Sequence, residues 1–429
     1  MERIAKTTYY RGGRLVDGTG RKAVENGVLA VREGRILYAG TAEGAPEPAA
    51  EDSVVDVSGL TLLPGLFNCH AHLDLNLPYK DYKVDEFGPA YRAMVSYRRA
   101  AEALVNGVTT VRCVGMDGGA DYAVKKAVEK GMLMGPRVLA AGPIIIATGG
   151  HGNNDPGSME CSGAAEFRRA ARNELKKGAD LIKIGLSGGL ASPHEGIADK
   201  QMMDDEIQAV VEVAHGAGKK VAAHLGGDGP IRDAVRLGVD SVEHAYFMDE
   251  ETAAMMAEAG TYLVPTLCVS SANEYLMAHG SPAYQLEKLA LAQKAHKDSI
   301  RNAVRAGVTI CCGTDLLPSD PFEGTTATIR EVELFTEVGL SPLEAIQAAT
   351  QNSAKLCGVL EETGTLEAGK AADVIAIQGR PDERIEDLRD ILVVIKGGSV
   401  IRARFKGLRA DFNPAGPDVA LAGGTFISW

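Results

Sequence analysis

The sequence predicts an α/β protein: a (β/α)8 barrel of the TIM type joined to a small β-sandwich built from both chain ends. Three observations predict it. Strand-then-helix units recur eight times through the middle of the chain, and short strands with tight turns occupy both ends. Histidines, a lysine and an aspartate recur on these strands or where they end, which is where a barrel assembles its sites. At 429 residues the chain is long enough to bury a large core, and one barrel can exceed the usual domain size. The expected divisions are 1–60 with 359–412 for the sandwich, 61–358 for the barrel, and a tail at 413–429.

Composition narrows the partners. With 57 acidic against 45 basic residues the formal charge is −12, which argues against nucleic acid or an anionic membrane. The first residues, MERIAKTTYYRGG, lack the apolar core of a signal peptide, and no apolar run approaches the roughly 20 residues that span a bilayer. The expectation is a cytoplasmic protein acting on small molecules. Seven cysteines without framework spacing read as reduced, mostly buried thiols, with Cys69 turned away from the face that its neighbour His70 uses.

Period-two or continuous apolar runs bounded by Gly, Asp and Asn mark strands near 13–18, 27–31, 35–40 and 53–57. These are too few to close a core. Matching runs near 372–377 and 391–398 supply the partners, so the two ends are expected to pair. Between them, barrel strands are expected at 61–68, 108–115, 137–145, 180–187, 219–225, 239–246, 261–269 and 307–315. Helices with apolar residues at three-and-four spacing are expected at 90–105, 164–177, 204–215 and 283–306. An open doubly wound sheet fits less well, because no Gly-x-Gly-x-x-Gly turn follows the first strand.

The stretch from Pro64 to Asp74 ends an apolar run in His70-Ala71-His72. Side chains at i and i+2 of a strand point the same way, so both imidazoles converge, and imidazole is a common ligand of divalent metals. Lys183 lies inside an apolar strand, where a bare ammonium is costly. It is either paired with a carboxylate or, as a neutral amine, able to take up CO2 as a carbamate. The fifth, sixth and eighth strands end in His224, His244 and Asp315. Each alone is more often structural; six together are not.

In this combination the chain resembles the binuclear amidohydrolase superfamily over nearly its whole length. The resemblance implies that His70, His72 and Asp315 hold one metal ion and His224 and His244 a second. Carboxylated Lys183 and a hydroxide would lie between them, and Asp315 would move the proton. Zinc is the default for so imidazole-rich a set, with manganese and cobalt as alternatives. The segments 107–112, 148–154, 187–189 and 242–245 resemble the branch that holds imidazolonepropionases and metal-dependent dipeptidases. Imidazolonepropionases do not use the lysine, whereas the Xaa-Pro and Xaa-Arg/Lys dipeptidases are similar to this chain in carrying it. The implied activity is therefore that of a prolidase-like Xaa-Pro dipeptidase. The alternatives are an N-acyl or N-aroyl amino acid amidase of the ochratoxin type, a carbamate or lactam hydrolase, and an imidazolonepropionase-like hydrolase of cyclic amides. A silent barrel is disfavoured because no ligand position is lost.

For the substrate, His151 in a Gly-rich loop is a candidate to steady an oxyanion or grip a carboxylate. Tyr246 and Arg112 are candidates for that carboxylate, with burial in the core or pairing with a structural acid as their alternatives. His215 reads as a helix cap, His279 and His296 as residues on or near polar helical surface, and His194 as a loop residue. A homo-oligomer is implied by the resemblance, with Met94, Met132 and Met134 as apolar residues for an interface.

Overall fold

The computed structural model describes residues 6–74, 87–153 and 155–411. The expected tail at 413–429 lies outside them. Both chain ends do pair. Leu60–Pro64 runs antiparallel to Val374–Gln378, with Pro64 opposite Val374 and Leu60 opposite Gln378. The result is one mixed, eight-stranded sheet rather than the two separate layers expected. Its order is Ser399–Ala403, Ile391–Lys396, Val374–Gln378, Leu60–Pro64, Thr8–Leu15, Val24–Arg32 and Arg35–Thr41, and Ser53–Asp56 pairs with Thr8–Leu15 in parallel. Alternating side chains from both ends, among them Leu29, Ile36, Leu62, Val374 and Ile395, share one apolar cluster. Neither end could bury that face alone.

The expected first parallel strand, 61–68, breaks at Gly65. Leu60–Pro64 belongs to the chain-end sheet, and Leu66–Ala71 opens the parallel set. A Cβ at residue 65 would stand 2.2 Å from the Thr109 methyl, so only glycine lets the chain cross there. The parallel strands then follow in order: Val108–Cys113, Arg137–Leu139, Ile144–Ala147, Ser158–Cys161 at the edge beside it, Leu181–Gly185, Lys220–Leu225, Ser241–His244 and Tyr262–Val264. The third expected strand is thus two pieces, and the seventh is only three residues before a short helix, Leu267–Ser271. Near 307–315 the chain makes one bridge, Ile310 to Leu263, flanked by hydrogen bonds from Cys311 N to Leu263 O (2.8 Å) and from Cys69 N to Cys312 O (2.7 Å). That segment therefore sits between the last and first parallel strands.

Strands such as Leu66–Ala71, Leu181–Gly185 and Ser241–His244 are buried along their whole length, as parallel strands covered on both faces are. Helices cover them. Gly163–Lys177 turns Phe167, Ala170, Ala171 and Glu174 inward and ends at Gly178 with φ of 100°. The long helix Ala283–Ala306 ends likewise at Gly307. No helix among the described residues is long and apolar enough to cross a membrane.

Candidate metal centre and active site

The strand Leu66–Ala71 delivers His70, 1% exposed, with its Nδ1 donating to Glu243 Oε2 at 2.8 Å. A carboxylate only accepts, so this bond fixes the tautomer and leaves Nε2 facing the cavity. Glu243 Oε1 in turn accepts from Arg112 Nη2 at 2.7 Å and from Ser241 Oγ at 2.6 Å. His72 donates Nδ1 to the Gly115 carbonyl at 2.7 Å and turns Nε2 the same way. Both Nε2 atoms converge on Asp315 Oδ1, at 3.3 Å from His70 and 3.1 Å from His72. Burial opposes a charge on Asp315, yet the two rings hold its carboxyl well below the usual range. Burial likewise pulls His72 down, but its bond to Asp315 leaves it raised overall.

Opposite lie His224 and His244, with ring centroids 4.5 Å apart; His244 also approaches His70 at 4.8 Å. His224 Nε2 donates to the Gly188 carbonyl at 3.1 Å, which frees Nδ1, whereas His244 Nδ1 pairs with Thr266 Oγ1 at 2.6 Å, which frees Nε2. Burial, reinforced by neighbouring positive groups, holds both far below the ordinary imidazole range, so both are neutral and able to ligate. His244, Ala245, Thr266 and Asp315 all adopt φ between 54° and 73°. Such left-handed backbone costs about 1–3 kcal/mol per residue and here aims side chains at one point.

Lys183 enters the floor from Leu181–Gly185 and is 1% exposed. Among the described residues its ammonium has no hydrogen-bond or ion-pair partner. Burial pushes its pKa down to about 8, against the pull of Glu243 and Asp315. Four imidazoles with one ring nitrogen each left free, a carboxylate and an orphaned amine fit divalent cations of the zinc class. Three of the six, His70, His72 and Asp315, place their donor atoms within 4.8 Å of one another.

Around this floor is a cavity of about 240 Å³. His151 lines it, stacked on His224 at 3.9 Å and donating Nδ1 to Glu195 at 2.7 Å. Tyr246 lines it too, parallel to the His244 ring at 5.3 Å, and its hydroxyl has no protein partner among the described residues. Arg112 does not line it. Its guanidinium is taken up by Glu243, Ser241 and the Cys69 carbonyl, so the substrate-gripping expectation gives way to the alternative, a structural ion pair. His296 is a correction as well. It is wholly buried, with Nε2 on the His244 carbonyl at 2.9 Å and Nδ1 on Ser270, so it packs behind the site rather than on polar surface. Sequence reasoning missed Glu243, Thr266, Glu195 and Gln201. Glu243 alone carried a signal, an acid inside an apolar strand next to a ligand candidate.

Comparison with known proteins agrees with this geometry. The sequence profile of the amidohydrolase family matches residues 61–414. Ochratoxinase of Aspergillus niger is 31% identical over 428 residues, covering 93% of this chain and 87% of that protein. A solved Xaa-Pro dipeptidase with methionine bound in its active site superposes with a TM-score of 0.84 at 32% identity, over 93% of this chain and 100% of the other. A prolidase complexed with N-methylphosphonate-L-proline gives 0.83 at 29% identity, with the same coverage. With its imidazoles presented by parallel strands and its likeness running almost from end to end, the chain belongs to the amidohydrolase family and is a metal-dependent enzyme acting on C–N bonds.

Proposed function

We propose that the chain is a binuclear amidohydrolase that hydrolyses small dipeptides, with Xaa-Pro dipeptides first. The observation that carries this reading is the Lys183 amine, without a partner among the described residues, on a floor ringed by imidazoles. A depressed pKa leaves part of the amine neutral near pH 7.5, and neutral amine adds to CO2 to give a carbamate whose two oxygens suit two cations. His70, His72 and Asp315 would hold one ion, His224 and His244 the other, and carboxylated Lys183 both. Zinc suits this set. We also read the parallel strands and the 307–315 segment as one closed (β/α)8 barrel, with the chain-end sheet as a separate unit; the hydrogen bonds at Leu263 and Cys69 support this.

When bound, the ion pair supplies a deprotonated water at neutral pH and polarises the scissile carbonyl. Asp315, facing both His70 and His72, is placed to take the water's proton and hand it to the leaving nitrogen. His151 and Tyr246 line the cavity and would serve the developing oxyanion or the terminal carboxylate. Leu190, Val269, Leu276 and Leu316 give the lining apolar surface, fit for a side chain, and Asp74 and Asp155, also in the lining, are acceptors for an α-ammonium.

That apolar surface also favours a second reading, an N-aroyl amino acid such as the one named in ochratoxinase. A panel of Xaa-Pro, Xaa-Arg and N-aroyl amino acids on the metal-loaded enzyme separates the two. Release of proline from Xaa-Pro is expected, with loss on chelation and return on adding zinc. Cleavage of N-aroyl phenylalanine with no Xaa-Pro turnover overturns the first reading.

A further inference from the structure

The segment 187–201, which follows the strand bearing Lys183, touches the site at several points. The Gly188 carbonyl sets the His224 tautomer. Leu190 and Ala191 line the cavity. Glu195 accepts from His151 Nδ1 at 2.7 Å, from Ser192 N at 3.1 Å and from Gln201 Nε2 at 2.9 Å, and Gln201 Oε1 accepts from the His151 amide at 2.8 Å. The backbone passes so close that a Cβ at Gly189 would lie 2.4 Å from His151 and 2.5 Å from His224.

This segment has little regular structure of its own, and its anchor comes from the long helix Ala283–Ala306. The Lys288 ammonium donates to three backbone carbonyls, Gly189 (3.0 Å), Ser192 (2.5 Å) and Glu195 (2.5 Å), and Tyr284 donates its hydroxyl to Ala191 at 2.9 Å. No carboxylate pairs with Lys288 among the described residues. An ammonium has three N–H donors, and here all three are spent on one loop.

We propose that Lys288 and Glu195 are positioning residues of the site: Lys288 clamps the 187–201 segment from outside the cavity, and Glu195, held by that clamp, aims the second ring nitrogen of His151 at the substrate. The importance of that aim for turnover rests on the dipeptidase reading; the clamp itself does not. It also makes the helix that bears Gln285 on the cavity wall a part of the active-site frame.

The test uses full-length Lys288→Met, Lys288→Arg and Tyr284→Phe. In Lys288→Met, amide exchange across 187–201 should rise about tenfold or more, with strand 220–225 unchanged, because a hydrogen bond worth about 1.4 kcal/mol is a factor of ten. Nitrogen-15 NMR of labelled histidine, with His151 assigned by its absence in His151→Asn, should show loss of the single Nδ1–H tautomer. On Xaa-Pro substrate kcat should fall about 10- to 100-fold with a smaller change in KM, and Lys288→Arg, which keeps N–H donors for the three carbonyls, should restore most of it. Tyr284→Phe, the milder change, should raise exchange in the same segment by less, and it keeps the test alive if Lys288→Met does not fold. Unchanged exchange and an unchanged His151 tautomer overturn the clamp. Altered exchange with kcat and KM intact overturns the positioning role. If the wild type cleaves no dipeptide, the dipeptidase reading falls, while exchange and tautomer still decide the clamp.

Discussion

Two cations are buried among the same parallel strands, and their surroundings are opposite. Arg112, 2% exposed, spends its guanidinium on Glu243 (2.7 Å), Ser241 (3.2 Å) and the Cys69 carbonyl (2.6 Å). Burial works against the charge on Glu243, and Arg112 together with His70 more than offsets it. Lys183, 1% exposed, has no such partner among the described residues and is pushed down to about 8. The first region uses a matched charge to hold the strand that bears His70. The second keeps an unmatched one, which costs stability; its chemistry is the part we propose. The two buried cations therefore differ in whether their donors are already spent.

Removing the matched cation should do the most damage. Arg112→Met leaves Glu243 buried with its main counter-charge gone, a loss of about 3–5 kcal/mol. Urea unfolding should show it as a lower midpoint with an unchanged slope, and a loss under about 1 kcal/mol would mean that the pair holds nothing. Glu331 is an intermediate case. It is wholly buried and accepts backbone N–H groups from Leu267 (2.9 Å) and Cys268 (2.7 Å). Burial, opposed by those bonds, pushes it from 4.5 up to about 7. The native state therefore binds more protons than the unfolded chain between those values, so stability falls as pH rises through that window. The loss is about 3 kcal/mol, complete above pH ~7. Glu331→Gln should flatten this slope when unfolding is compared at about pH 5 and pH 8. Parallel curves for the two proteins would remove Glu331 from the comparison.

The same contrast explains what could be read in the sequence. His70, His72, Lys183, His224, His244 and Asp315 were legible because each lies within or ends an apolar run, and a polar residue there needs a reason. Their supports were not. Which side chain receives His70 Nδ1 depends on which strands lie across the ring, and Glu243 is 173 residues away in sequence. Thr266 and Glu195 are placed by backbone turns that no periodicity encodes. His296 was readable in principle: with Leu289, Ala292, Ser299, Ile300 and Ala303 it falls on the buried stripe of its helix, but the charged neighbours Lys294, Lys297 and Asp298 mask that spacing. The break at Gly65 was likewise signalled, by the Pro64-Gly65 pair, yet the apolar residues on both sides read as one strand.

An effect similar in size to that at Glu331, but of opposite sign, is expected at the unmatched cation. With the amine at about 8 in the native state against 10.5 unfolded, the metal-free protein binds fewer protons than the unfolded chain between those values. Its stability therefore rises with pH across that window, and below it the charged amine costs about 3 kcal/mol. Lys183→Met keeps the stem and removes the charge. Stripped of metal and CO2, it should be at least as stable as the wild type at pH 7 and lack the rise between about pH 8 and 10.5, while dipeptide turnover is lost. Unfolding curves of the stripped proteins at both ends of that range measure this directly. A variant less stable than wild type by more than about 1 kcal/mol would make Lys183 another Arg112, a cation whose place in the chain is to hold strands together.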